Sequence, residues 1–125
     1  MSDYLPQVGR DDVLRIVDRD YPPKDREAIL DMLKEYGPAR WHGAPDRVHL
    51  AILKLGGGNT NALRKYLDDA KPDFRDVVAP AEYPRFWQIG LVGADRMTSD
   101  EREQLQKDDW NQYEEWLNAK QSWKK

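Results

Sequence analysis

No cysteine occurs among the 125 residues. That excludes a disulfide framework and a thiolate metal site, and it leaves the redox compartment open. Long apolar runs are missing as well: nothing approaches the roughly 20 residues that a membrane-spanning helix needs. The N-terminal MSDYLPQVGRDD lacks the apolar core of a signal peptide. The expectation is a soluble, cytoplasmic protein with no membrane partner. Net charge is scarce too, because 20 Lys and Arg stand against 23 Asp and Glu, a net of −3. A domain that binds polyanions usually carries a basic excess. Here residues 38–86 are only mildly basic, with 8 positive side chains against 6 negative.

Few residues are suited to covalent or metal chemistry. The serines are Ser2, Ser99 and Ser122, and none sits in a Gly-x-Ser-x-Gly elbow. Of the two histidines, His42 and His49, the second stands three residues after Asp46, a helical spacing that aims two ligands the same way. Di-metal carboxylate bundles need several such pairs, and the other repeat of the spacing, Asp73 with Asp76, has no histidine. Asp76, Glu82 and Tyr83 are the candidates for acid–base work, but acids on solvated faces are ordinary in a chain that is 34% charged. No catalytic residue, metal or cofactor is expected.

What the chain does have is helical periodicity, within a length usual for one domain. In RDDVLRIVDRDY, Val13, Leu14, Ile16 and Val17 recur at helix spacing, with Asp11 and Asp12 in the first turn, where the helix dipole favours acids. Pro22 and Pro23 start a second helix with Ile29, Leu30, Leu33 and Tyr36 as its stripe, and Gly37-Pro38 stops it. PDRVHLAILKL, opened by Pro45, is apolar on nearly every side and reads as the buried centre of a core. NTNALRKYLDDAK follows with a cap among Asn59, Thr60 and Asn61. Pro72 is a plausible start for the next helix, which Pro80 ends or kinks. RFWQIGLVGADRM reads as an apolar connector whose glycines deny it a period. Thr98 and Glu101 form a capping box for a last, long helix in which Trp110, Tyr113 and Leu117 share a face.

The segments DRVHLAILKL, LRKYLDDAKPDFRDVVAPAEYPR and DDWNQYEEWL resemble a family of short uncharacterised bacterial helical proteins, over roughly residues 45–117. Pro80 departs from the family pattern. The resemblance implies a helical cytoplasmic bacterial protein and supplies no activity, substrate or site residue.

The three consecutive glycines, Gly56 to Gly58, invite a phosphate-binding reading. They follow a helix instead of a strand, Lys54 lies on the wrong side for a P-loop, and Asn61 stands where a dinucleotide fingerprint needs its third glycine. A helix-turn-helix is the sharper alternative, with Asn59, Thr60, Asn61, Arg64 and Lys65 presented to nucleic acid near the start of the second helix. Asp68 and Asp69 and the overall acidity weigh against it. The plain reading is punctuation: Gly56 closes one helix in left-handed conformation and Asn59 or Thr60 opens the next.

The aromatic content of the C-terminal half, Trp87, Trp110, Tyr113, Trp116 and Trp123, exceeds what a small core easily encloses. Trp110 and Tyr113 are expected to dock the last helix. Trp116 and Trp123, with Trp87 and Arg85, are the candidates for meeting a protein partner or a second copy. These observations lead to an all-α compact bundle of five to six helices with a long aromatic-rich C-terminal helix. The functional expectation is a non-enzymatic interaction protein, perceived as antitoxin-like or immunity-like from size and acidity, with nucleic-acid binding through residues 47–67 as the alternative.

Overall fold

The computed structural model describes residues 7–37 and 44–119. Among them are seven helices and no strand: α1 (Arg10–Asp20), α2 (Pro23–Leu33), α3 (Pro45–Gly56), α4 (Thr60–Ala70), α5 (Arg75–Glu82), α6 (Pro84–Asp95) and α7 (Ser99–Asn118). None of these helices is long and apolar enough to cross a membrane.

α3 lies at the centre because its sequence is apolar on nearly every side. Val48, His49, Leu50, Ala51, Ile52 and Leu53 are all buried, and α1, α4 and α5 pack against it. Around it, α1 contributes Val13, Ile16 and Val17, α4 Leu63, Leu67 and Ala70, and α5 Val77, Val78 and Ala81 to one apolar core. α6 and α7 pack on each other, and both also meet α5.

Local chemistry places most of the helix ends. The Asp12 carboxylate accepts the Gly9 backbone N–H at 3.0 Å, while Pro22 and Pro23 open α2. α2 closes at Leu33, earlier than its apolar stripe suggested, and the turn that follows still carries Tyr36 into the core. Asn59 is the cap of α4, its side-chain oxygen accepting from the Ala62 N–H at 3.0 Å. At α7 the Thr98 hydroxyl accepts from the Glu101 N–H at 3.1 Å, and the Glu101 carboxylate accepts from the Thr98 N–H at 2.8 Å.

Three sequence expectations need correction. α5 begins at Arg75, after Asp73 has accepted the Arg75 N–H, so Pro72 is not its start. Pro80 does not end it: the helix continues to Glu82, and the Tyr83 N–H still donates to the Ala79 carbonyl at 3.0 Å. The ring removes one hydrogen bond, the one the Asp76 carbonyl would accept, and Asp76 is an exposed residue. The supposed connector after Pro84 is α6, helical on both sides of a break at Gly90, whose backbone (φ 76°, ψ 174°) only glycine adopts readily. That segment brings the number of helices to seven, above the five or six expected.

The three glycines have two different reasons. Gly56 is the last helical residue of α3, and a Cβ there would lie 2.6 Å from Leu63 Cδ2 and 3.1 Å from its Cγ. Gly57 is the left-handed cap (φ 57°), one residue later than expected, and Gly58 also has positive φ (85°). Leu63 is fully buried among core side chains. Gly56→Ala is therefore expected to destabilise by about 1–3 kcal/mol through overpacking, and Gly57→Ala by roughly 1–2 kcal/mol through left-handed strain. Urea unfolding midpoints of the two variants check this, and a neutral Gly56→Ala would refute the close-approach account.

Candidate interaction surface

α6 is held to α7 by one carboxylate. Asp109 is 2% exposed, and its two oxygens accept the backbone N–H groups of Arg85 (3.0 Å) and Phe86 (3.1 Å). These are orphan donors in the first turn of α6, where a negative charge is also favoured by the helix dipole. The Gln112 side-chain amide fastens the same joint, reaching the carbonyls of Ala81 (3.2 Å), Glu82 (3.2 Å) and Asp109 (2.8 Å). Asp109→Ala is expected to cost about 1–2 kcal/mol, the usual loss for a helix cap, and to expose the Arg85 and Phe86 amides to hydrogen exchange. Unchanged protection there would contradict the pinning role.

Beneath this joint lies an ion pair. Arg47 of α3 donates through Nε to Glu82 Oε2 at 2.7 Å and through Nη2 to Oε1 at 2.6 Å. The Glu82 side chain is 6% exposed and that of Arg47 29%. The fork holds the guanidinium charged and joins the central helix to the end of α5. The Tyr113 ring is buried alongside, its hydroxyl without a hydrogen bond, and burial together with the Glu82 charge pushes its ionisation upward. Lys54, also on α3, is pushed down by burial and partly held up by the charge of Asp109.

With α6 so fixed, Trp87 is 55% exposed and Ile89 41%. Phe86 turns the other way, edge-on to Tyr83 with ring centroids 6.0 Å apart. Arg85 sits beside them, its side chain 65% exposed and 3.4 Å from Asp108. From Pro84 to Asn118 the chain carries eight acidic and four basic side chains, so both exposed apolar residues belong to an acidic part of the described molecule.

The other interaction candidates are placed differently. Trp116 is half-buried against the core, with the Arg19 guanidinium 5.3 Å from its ring centroid and the Tyr113 ring 5.7 Å away. Trp110 stacks on Tyr113 at 6.5 Å. Trp123 lies outside the described residues, as does His42.

The nucleic-acid candidates are largely engaged within the molecule. Asn59 caps α4. Arg64 forks onto Glu35 at 2.8 and 2.7 Å and approaches Asp68 at 3.4 Å. Lys71 joins the same carboxylate at 2.6 Å, and the two cations, Arg64 foremost, hold the Glu35 carboxyl down to about 2. Lys65 lies over the Tyr66 ring at 4.7 Å, and Arg75 pairs with Asp73 at 2.9 Å. Only Thr60 and Asn61 of the set are exposed without a contact described above. Among the described residues, no group of three or more His, Cys, Asp or Glu side chains stands close enough to hold a metal ion.

No family model, curated protein or solved structure matches this chain.

Sequence reasoning did not single out Asp109, Gln112 or the Arg47–Glu82 fork as the supports of this surface. One signal was available: Asp109 stands four residues from both Leu105 and Tyr113, which puts a carboxylate inside the buried stripe of α7.

Proposed function

We propose that this chain is a non-enzymatic interaction protein that presents the first part of α6 to a protein partner. The observation that carries the reading is Trp87. A molecule that covers Tyr21, Tyr36 and Tyr113 almost completely leaves its largest kind of side chain 55% exposed, on a helix pinned from below that also exposes Ile89 two residues further along. Large aromatics with apolar neighbours are the usual anchors of interfaces. The acidic surroundings suit a basic partner, the character expected of an antitoxin-like or immunity-like protein. The engagement of Arg64, Lys71, Arg75 and Arg85 with carboxylates weighs on the same side, because an open basic face is what nucleic acid requires.

The test is photo-crosslinking in the native host with a benzophenone side chain at position 87 and, as a control, at Leu14, an exposed apolar position on α1. A discrete, nuclease-resistant product at 87, absent at 14 and lost in an Ile89→Asp background, is expected. Absence of such a product, or recovery of nucleic acid that depends on Arg64, overturns the reading. Sedimentation of the purified chain separates a second copy from a different partner.

A further inference from the structure

His49 is an ionisable side chain inside the apolar centre, 4% exposed. Its Nε2 lies 3.1 Å from the Tyr36 carbonyl oxygen and its Nδ1 lies 3.3 Å from Arg10 Nη1. A carbonyl only accepts and a guanidinium only donates. Nε2 must then carry the hydrogen and Nδ1 must be bare, so the neutral imidazole satisfies both neighbours and the imidazolium satisfies one. A proton on Nδ1 would set N–H against N–H and place two positive charges together.

The groups acting on His49 are few. Arg10 comes from α1, Asp46 stands one turn earlier on α3, and the turn after α2 supplies the Tyr36 carbonyl and its ring, edge-on at 6.1 Å, with the Leu33 carbonyl behind. Asp46 is 4.0 Å from Arg10, with both side chains about two-fifths exposed, so it screens the Arg10 charge and offers the guanidinium another place to go. Burial first, then Arg10, pushes His49 below its ordinary value, and the Tyr36 carbonyl and Asp46 act the other way.

Arg10 is the first residue of α1. The same helix holds the end of α7 through Arg15, which donates to the Leu117 carbonyl at 2.7 Å, and through Arg19, which donates to those of Trp116 at 2.6 Å and Ala119 at 2.9 Å. α1 thus runs as a strap from the start of the central helix to the end of the last one.

We propose that the Arg10–His49 contact is an acid-released latch: a solvent proton taken up at His49 Nδ1 expels Arg10 toward Asp46, frees the first turn of α1 and loosens its hold on the end of α7. The sign follows from linkage. The unfolded or released state binds the proton near the ordinary histidine value of about 6.5, while the latched state resists it. The latch is fully closed above about pH 7, weakens by up to about tenfold per pH unit below 6.5, and levels off beneath the latched-state value. This window lies above the carboxylate range, which separates it from general acid unfolding.

The experiment is hydrogen exchange on the full chain at pH 7 and pH 5, corrected for the intrinsic chemical rate, with His49 followed by the NMR shift of its ring proton. Peptides covering α1 and residues 113–119 are expected to lose about tenfold in protection relative to α4. His49→Gln, which can still donate to Tyr36 and accept from Arg10 but takes up no proton, is expected to abolish the difference. Arg10→Gln changes a side chain already 40% exposed; in it the His49 midpoint is expected to move upward, so the test stands even where His49→Gln folds poorly. His42→Gln controls for the other histidine. The proposal is overturned by α1 protection that keeps level with α4 at pH 5, by an undiminished loss in His49→Gln, or by a His49 midpoint at or above 6.5.

Discussion

Arg47→Ala is expected to destabilise the protein by about 3–5 kcal/mol, the range for removing one partner of a buried ion pair. The loss comes from what the variant leaves behind. Glu82 is 6% exposed on its side chain and is fixed at the end of α5, where its own carbonyl is already engaged by Gln112. Without the fork its carboxylate has neither water nor a cation, and it must take up a proton or break the packing around it. Glu82→Gln removes the charge but keeps a side chain that can accept one guanidinium hydrogen, so its loss should be smaller. The decisive comparison is a double-mutant cycle by urea unfolding. If Arg47→Ala and Glu82→Ala together cost about as much as either alone, the pair acts as a unit. Additive losses would show that Arg47 stabilises through other contacts. Replacing both by Met and Leu is expected to recover much of the stability, because well-packed apolar residues often serve as well as a buried pair.

Helix starts and stops were largely legible because their chemistry is local. Thr98 with Glu101, Asn59, and the paired prolines Pro22 and Pro23 act within three or four residues of themselves, and each marks the end it was expected to mark. α6 was misread for a related reason: Gly90 and Gly93 interrupt its period, and sequence alone cannot tell a broken helix from a loop. Here the Asp109 carboxylate, 24 residues from the Arg85 N–H it accepts, supplies what the local sequence lacks. Pro80 was expected to end or kink the helix, yet a proline close to a helix end deprives only one carbonyl, that of Asp76, an exposed residue.

The candidate surface was less legible. That Trp87, Trp110, Trp116 and Tyr113 exceed what one small core needs could be counted, but which of them stays outside depends on the angle at which α7 docks. That angle is set by contacts such as Arg19 on Trp116, 97 residues apart in sequence. Likewise Arg64 looked available to an anion until Glu35, 29 residues earlier, was placed against it. A polar residue at an apolar register position was the readable clue to the supports: His49 in the all-buried run of α3, Glu82 four residues after Val78, and Asp109 between Leu105 and Tyr113.

Arg19→Ala is the second large loss expected, again about 3–5 kcal/mol, and it follows from how α7 is attached. Along its 20 residues α7 buries Leu105, Asp109 and Tyr113 and packs Trp116 and Leu117 partly against the core, a sparse apolar face for so long a helix. Its C-terminal end is held by two guanidiniums of α1, Arg15 on the Leu117 carbonyl and Arg19, which makes the larger set of contacts. Arg19 forks onto Asp20 at 2.8 and 2.9 Å, donates to the carbonyls of Trp116 and Ala119, and covers the Trp116 ring. The side chains of Arg19 and Asp20 are only 7% and 10% exposed. Truncation leaves a buried carboxylate unpaired, takes the guanidinium from the Trp116 and Ala119 carbonyls, of which the first keeps only the Ala119 N–H at 3.4 Å, and uncovers the indole. Arg19→Lys keeps the charge but cannot reproduce the fork and the carbonyl contacts together, so it should recover only part of the loss. Chemical unfolding gives the magnitude, and hydrogen exchange across residues 113–119 gives the mechanism. If the end of α7 keeps its protection in Arg19→Ala while global stability falls, Arg19 serves mainly to neutralise Asp20. If protection there falls first, with Asp109 still holding α6, the guanidinium is what fastens α7 to α1.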